Sequence, residues 1–366
     1  MNKLDKSYLD LLIKIRDKGY DKGDRTQIGS KALFGEEIKH QMSDGFPFLT
    51  SKKMFSKGII YELLWFLKGN TNIKYLVDNE VNIWVGDSYA KYSKLCSEND
   101  SKWNKWMREN LDKTLSMFTV SEFVEKIKTD KTFSDKWGEL GPIYGSQWVN
   151  WGKGDDIWEE SKSQSGVLIS KPNPGINQIQ NLVNDLKNNP DSRRLIVNSW
   201  NVSDINKMTL PPCHYCFECD TRLLSIEERK NEMNKMGFKT IPSDPLKAEE
   251  SFDYYNVPKR MLSLKWTQRS VDTFTGLPFN ISSYGFLLEM LAQQCNMVPG
   301  QLIGSLGNTH IYNNHFEAIE EQLKAETYSL PTLKLKKATS IFDYKYEDFE
   351  IINYQSSSTI KAPLNN

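Results

Sequence analysis

No stretch of the 366 residues approaches the roughly 18 unbroken apolar residues that suggest a membrane-spanning helix. Neither sign of charge is in excess. Lys plus Arg and Asp plus Glu are each 47, which argues against a nucleic-acid groove or a polybasic membrane patch as the main feature. A local basic pocket for one phosphate remains compatible with that balance. Cysteine is scarce and odd in number: five, at 96, 213, 216, 219 and 295. That is not a secreted disulfide framework, so a reducing cytoplasm is the simpler setting. Internal repeats and low-complexity segments are also missing. What is present is a hydrophobic fraction of 39% and an aromatic fraction of 12%, enough for a large packed core. Near the N-terminus Leu4, Tyr8, Leu11, Leu12 and Ile15 recur at helical spacing with Lys and Asp between them. This predicts an amphipathic first helix rather than a signal peptide.

Helical and strand-like patterns are mixed along the chain without the regular alternation of a doubly wound sheet, so the fold class is α+β. Residues 59–67 are apolar on nearly all sides except at Glu62. A helix of that kind is usually buried, which puts a carboxylate inside the protein. Residues 88–137 are rich in Lys, Asp, Ser and Glu with scattered Trp and Phe, and read as a solvated, mainly helical insertion. A second polar insertion covers 222–258, helical over 225–236 and then broken by Pro242, Pro245 and Pro258. Residues 195–200 and 261–266 read as strands. Residues 179–186 (stopped by Pro190), 281–294 and 310–323 read as helices, and the tail from 343 as extended.

Cys213, Cys216 and Cys219 are spaced as in some metal or iron–sulfur sites. On a strand, however, period-two alternation would put Cys213 and Cys219 on one face and Cys216 on the other, and no further cysteine is near, which favours a site without metal. Cys213 stands apart, since it follows Pro211-Pro212 and precedes His214. A Cys beside a His suggests an activated nucleophile, although a buried structural cysteine is the commoner case.

The residues around this cysteine resemble a known family. Asp191-Ser192-Arg193-Arg194-Leu195-Ile196-Val197, then Trp200-Asn201-Val202, then Met208, Leu210 and Pro211-Pro212-Cys213-His214 are similar to the active-site signature of thymidylate synthases. Gln268-Arg269-Ser270-Val271-Asp272, Gly276-Leu277-Pro278-Phe279-Asn280-Ile281 with Ser283-Tyr284, and Gly307-Asn308-Thr309-His310-Ile311-Tyr312 with Asn314-His315 continue the likeness. So do the earlier blocks Asp24-Arg25-Thr26, Asp44-Gly45-Phe46-Pro47, Glu62-Leu63-Leu64-Trp65-Phe66, Gly69 with Thr71-Asn72, and Gly141-Pro142 with Tyr144-Gly145. All stand in the family's order and cover the chain except the two insertions. The resemblance implies one catalytic domain over 1–366, a three-layer fold whose mixed, twisted sheet lies at a dimer interface, and a cytoplasmic homodimer with shared active sites. It implies reductive methylation of dUMP to dTMP with 5,10-methylenetetrahydrofolate as co-substrate, needing no metal, nucleic acid or membrane.

The resemblance also assigns roles. Cys213 would add as thiolate to carbon 6 of uracil and so activate carbon 5, with nearby arginines favouring the thiolate. Glu62 would move protons, its apolar helix suiting a raised pKa. Tyr144 would assist removal of the C5 proton, and Asp272 and His214 complete the implied catalytic set. Arg25, Arg269 and Ser270 resemble phosphate ligands, and Arg193 and Arg194 a pair donated across the dimer interface. Without the flanking motif, those two adjacent arginines would be read as a solvated salt-bridge pair. Gln268 falls on a substrate-binding position, Asn280 on the one that reads the pyrimidine edge, and His310 and Tyr312 on those that hold the sugar 3′-hydroxyl. Lys52, Ile83, Trp84, Leu210, Asp272, Gly276, Phe279 and Ala362 fall on folate positions. For the apolar ones among these, plain packing is nearly as good a reading. The chain departs from the family pattern at Val85-Gly86-Asp87, where Asp-Glu-Trp usually follows Trp84, and at Glu218, Asn308 and Asn366. A missing second Trp bears on water exclusion, and water trapping an intermediate before hydride would give hydroxymethyl-dUMP. A dUMP hydroxymethylase of the same superfamily is therefore the alternative, and an inactive binding homologue a third.

Overall fold

In a computed structural model, residues 1–23, 27–97, 117–154, 157–160, 168–171, 173–238 and 240–365 are described. The chain forms two compact units. One comprises Met1–Met54, Gln178–Val197 and Cys213–Pro363, the other Phe55–Asn177, Asn198–Pro212 and Leu364–Asn366.

The first unit is built on a six-stranded sheet. Its strands are β1 (Tyr20–Lys22), β2 (Ser30–Gln41), β3 (Ile196–Asn198), β4 (His214–Leu223), β5 (Arg260–Asp272) and β6 (Val298–Tyr312), in the order β1-β2-β6-β5-β4-β3. The sheet is mixed: β5 and β6 run parallel, while β1 with β2, β2 with β6, and β4 with β5 are antiparallel. A long helix, Leu277–Gln294, links β5 to β6 and is buried along nearly its whole length. Along β5, Leu262, Leu264, Trp266 and Gln268 are buried, and their registered neighbours on β6 include Leu302, Gly304 and Leu306. Glycine is required at 304, because a Cβ there would stand 2.4 Å from the Trp266 ring. On the other face Cys216, Glu218, Lys265, Thr267, Ile303 and Ser305 share register and are not fully covered within the chain. The first helix, Lys3–Lys18, is capped by Asn2 and buries Asp5, whose carboxylate accepts from the backbone of Thr50 (3.0 Å) and Ser51 (2.9 Å).

Two readings from the sequence need correction. Residues 310–323 are not one helix. β6 runs to Tyr312, paired with β2 on one side and β5 on the other, and the helix begins only at Phe316. Double pairing inside a sheet outweighed the helical spacing of a short segment. Cys216 and Cys219 lie on opposite faces as expected, while Cys213 precedes β4. A bulge between His214 and Cys216 inserts one residue, so His214, Phe217 and Cys219 share the buried face opposite Gln268, Trp266 and Leu264. The strand expected over 195–200 shortens to Ile196–Asn198, where Asn198 turns back to accept from the Trp200 amide at 2.8 Å.

Residues 226–254 supply two helices, Ile226–Lys235 and Pro245–Tyr254, closed over Met233, Ala248, Phe252 and Val257. Arg229 pins them: it is 4% exposed, bonds Asp253 (2.9 Å) and Glu249, and lies over the Phe252 ring.

In the second unit the helix Ser56–Leu67 is buried on most sides, as expected, with Leu63 through Leu67 each at most 3% exposed. The helix Tyr144–Asn150 packs directly on it, since a Cβ at Gly145 would stand 2.3 Å from the Phe66 carbonyl oxygen. The segment 88–137 is more than a solvated cover. Its helices Val85–Ser97, Val120–Thr129 and Lys131–Trp137 enclose Tyr92, Phe123, Phe133 and Trp137, each at most 1% exposed. These four aromatics form a small core of their own, and residues 98–116 of the insertion lie outside the described residues.

Candidate active site

At one end of the sheet in the first unit, parallel register brings Ser270 beside Asn308 and Asp272 beside His310, while β4 sets His214 opposite Gln268. The start of the long helix adds Gly276, Phe279 and Asn280 to the same unit. Gln268 is 2% exposed, and both the nitrogen and the oxygen of its amide are hydrogen-bonded. Its Nε2 donates to the Ser270 carbonyl (3.0 Å), and its Oε1 accepts from Trp266 Nε1 (3.2 Å) and from Asn280 Nδ2 (2.9 Å). An indole can only donate and a carbonyl can only accept, so the sense of the Gln268 amide is set at both ends. Asn280 is oriented in turn. Its nitrogen faces Gln268, leaving Oδ1 and one N–H as an acceptor–donor edge.

Cys213 is partly exposed just before β4, and its carbonyl oxygen accepts from the Arg269 amide at 2.8 Å. His214, whose adjacency suggested an activated Cys213, does not turn toward solvent with it. His214 lies on the buried face, with Nδ1 2.9 Å from the Tyr284 hydroxyl, and burial pushes its pKa down to about 3, so the ring is neutral at pH 7. It can brace the strand but cannot act as a cation beside the thiol. Arg269 is exposed, as are Arg193 and Arg194. Among the described residues neither of the last two has an acidic partner. Arg25 lies outside the described residues.

Asp272 holds the turn after β5. Its Oδ1 accepts from the amides of Phe274 (3.1 Å) and Thr275 (3.0 Å), and its Oδ2 from the Thr275 hydroxyl. Gly276 closes this turn through its amide on the Asp272 carbonyl at 3.0 Å. Lys52 is buried against it, its ammonium 3.9 Å above the Phe274 ring and donating to the Phe274 carbonyl. Burial brings its pKa down to about 7, against the opposing pull of Asp272. His310 donates from Nδ1 to Asn308 Oδ1 (2.9 Å), and its ring stands edge-on to Tyr312 at 5.0 Å. His315 is fully buried, and its Nε2 donates to the Pro363 carbonyl at 2.8 Å, which ties down the tail next to the half-buried Ala362.

The second unit carries Glu62, Ile83, Trp84, Tyr144 and Leu210. The Glu62 carboxylate accepts from Trp84 Nε1 at 2.8 Å. Burial pushes its pKa up to about 7 despite that bond, which favours the charged form. A little exposure remains, so the group can exchange protons while poised near neutrality. The Trp84 ring stands edge-on to Tyr144 at 5.9 Å, and Tyr144 stacks on Phe66 at 4.9 Å. Ile83 and Leu210 stay half-buried. These are apolar and aromatic surfaces of the kind a flat heteroaromatic molecule packs on.

Reading the sequence alone missed Trp266 and gave Tyr284 no role. The available signal was spacing: Trp266 stands two residues before Gln268, on the same face of a strand. Among the described residues no group of His, Cys, Asp or Glu could hold a metal ion, and no helix is long and apolar enough to cross a membrane.

Comparison with known proteins agrees with the motif reading. The family model described as thymidylate synthase matches residues 6–365. A protein of Mycoplasma mobile named thymidylate synthase is 40% identical over 360 residues, covering 98% of each chain. Proteins of the same name from Mesoplasma florum and Malacoplasma penetrans are 37% and 38% identical, each over 98% of this chain and 99% of the relative.

Proposed function

Since the chain belongs to the thymidylate synthase family, we propose that it reductively methylates dUMP to dTMP, with 5,10-methylenetetrahydrofolate as co-substrate and dihydrofolate as second product. We read 1–366 as a single catalytic domain acting in the cytoplasm. The observation that carries this reading beyond family membership is the oriented amide of Asn280, in the unit that also holds Cys213. Uracil offers a donor at N3 and an acceptor at O4, and an edge of Oδ1 plus N–H meets both.

In this mechanism the Cys213 thiolate adds to carbon 6 of the ring, and the electrons move toward O4. The Asn280 N–H then faces the oxygen on which charge develops, which stabilises the enolate and leaves carbon 5 nucleophilic. The folate, when bound, supplies the one-carbon unit and the hydride. Glu62, with a pKa near 7, gives and takes protons at physiological pH, while Trp84 holds its carboxylate in place. Tyr144 serves removal of the C5 proton, and once the one-carbon unit has been reduced Cys213 leaves carbon 6 as the thiolate, which restores the C5–C6 double bond. Asp272 and Lys52 keep the turn ahead of Asn280 rigid, and His214 braces β4 against Tyr284 as a neutral ring. Arg25, Arg269 and Ser270 would hold the phosphate, and His310 and Tyr312 the sugar hydroxyl. Trp84, Ile83, Leu210, Phe279, Gly276 and Ala362 would line the folate.

A homodimer with shared sites fits two features of the first unit. The exposed guanidinium groups of Arg193 and Arg194 have no acidic partner among the described residues. Beside them Ile196 is 47% exposed, on a sheet whose outer face is not fully covered within the chain. The decisive test is product analysis after incubating the protein with dUMP and methylenetetrahydrofolate. Equimolar dTMP and dihydrofolate are expected. Hydroxymethyl-dUMP as the main product would replace this reading with the hydroxymethylase one, and no conversion would remove both.

A further inference from the structure

Asn280 can discriminate uracil from cytosine only while its amide keeps one sense. Cytosine has an acceptor at N3 and an amine at C4, so an Asn280 rotated by half a turn would serve it as well as the native sense serves uracil. That rotation would present Oδ1 to Gln268, which would then have to donate and so rotate as well. A rotated Gln268 would set its Nε2 hydrogens against the Trp266 N–H and its Oε1 against the Ser270 carbonyl oxygen. Both encounters are repulsive. The lock has two parts, one of backbone and one of side chain. The side-chain part belongs to a residue that touches neither Cys213 nor Asn280 in any described hydrogen bond.

The seat of Trp266 leaves its indole no freedom. The residue is 1% exposed and stacks on Tyr284 with ring centres 5.2 Å apart and planes 8° from parallel. On the sheet side it covers Gly304, where even a Cβ would stand 2.4 Å from the ring. Tyr284 is held by His214 through the 2.9 Å contact of its hydroxyl. With the ring clamped, the direction of the N–H is fixed, and an indole cannot reverse its polarity as an amide can.

We propose that Trp266 is a specificity-determining positioning residue. Its N–H, acting through Gln268, fixes the sense of the Asn280 amide and thereby sets the preference for uracil over cytosine nucleotides. The inference rests on the dUMP reading above. Trp266→Phe keeps an aromatic ring over Gly304 and removes the donor. The Ser270 carbonyl still opposes rotation, so discrimination falls without vanishing.

The test measures dissociation constants for dUMP and dCMP without folate, which needs no turnover, in the wild type and in Trp266→Phe. The dCMP-to-dUMP ratio should fall five- to tenfold in the variant, equivalent to about 1–1.4 kcal/mol, with dUMP affinity changing much less. An unchanged ratio, or equal weakening of both nucleotides, overturns the proposal, because a merely structural tryptophan would affect the two alike. If Trp266→Phe does not fold, 3-benzothienylalanine at 266 keeps the ring volume and lacks only the N–H, and the same outcomes apply. Wild-type production of dTMP beside an unmoved ratio sinks this inference alone. Failure of the wild type to bind dUMP sinks the functional reading and this inference with it.

Discussion

A carboxylate poised near neutrality inside an apolar helix should weaken the fold, and Glu62 makes that cost measurable. In the unfolded chain it titrates near 4.5 and in the folded chain near 7. Below pH 4.5 both states are protonated and the group has no effect on stability. As pH rises from 4.5 to 7 the unfolded state releases its proton while the folded state retains it, so stability falls across that window and levels off above it. A gap of this size, at about 1.36 kcal/mol per pH unit, is worth about 3 kcal/mol, of which about 2.5 kcal/mol lies between pH 5 and pH 8. Glu62→Gln is neutral at every pH and can still accept the Trp84 N–H. Its advantage over the wild type should therefore grow by about 2.5 kcal/mol between pH 5 and 8. A chain of this size gains roughly 1.3 °C in Tm per kcal/mol, so the gap in melting temperature should widen by about 3 °C. Thermal melts of both proteins at pH 5, 6, 7 and 8 provide the assay, and the same variant should lose about 10²–10⁴-fold in kcat. A melting gap that stays flat with pH would show that Glu62 is solvated like an ordinary surface carboxylate and would end its assignment as a neutral-pH acid–base group.

Three further outcomes are expected. Cys213→Ser should fold normally yet lose turnover and covalent labelling by fluoro-dUMP with folate; substantial activity there, with Cys216→Ser dead instead, would move the nucleophile to Cys216. Inactive Cys213→Ser subunits mixed with an inactive Arg193→Ala/Arg194→Ala double variant should regain activity, since one site of each heterodimer would have both intact halves; mixtures that stay dead under proven subunit exchange rule out shared sites. Asn280→Asp should move the kcat/KM preference toward dCMP by roughly tenfold to a hundredfold, the cost of about 1–3 kcal/mol for an unpaired buried polar group; no shift in that ratio removes Asn280 from base choice.

How much of this was legible beforehand depended on what each residue's role requires. The buried helix around Glu62 was readable because apolar side chains on nearly all faces have one physical outcome, and the raised pKa follows from it. The segment 310–323 was misread because a strand's length is fixed by partners distant in sequence: His310 sits between Ala32 and Asp272, and neither is near it in the chain. The faces at the start of β4 were hard to read for a related reason. A single bulged residue after His214 reverses every face that follows, and bulges have no reliable signature in a lone sequence. His214 shows the limit of adjacency as evidence, because the residue beside Cys213 points at Tyr284 and burial pushes its pKa down to about 3. Asn280 shows the same limit at the scale of one functional group. Its identity names the chemistry, a donor and an acceptor on one edge, but not which way round they stand. That information resides in Trp266, whose donor cannot be reversed, in the Ser270 carbonyl, whose acceptor cannot be reversed, and in Gln268, which passes both constraints on. On the proposed reading base choice is a property of four residues, of which the two motif blocks display Gln268, Ser270 and Asn280 and leave out Trp266, the one with the rigid ring.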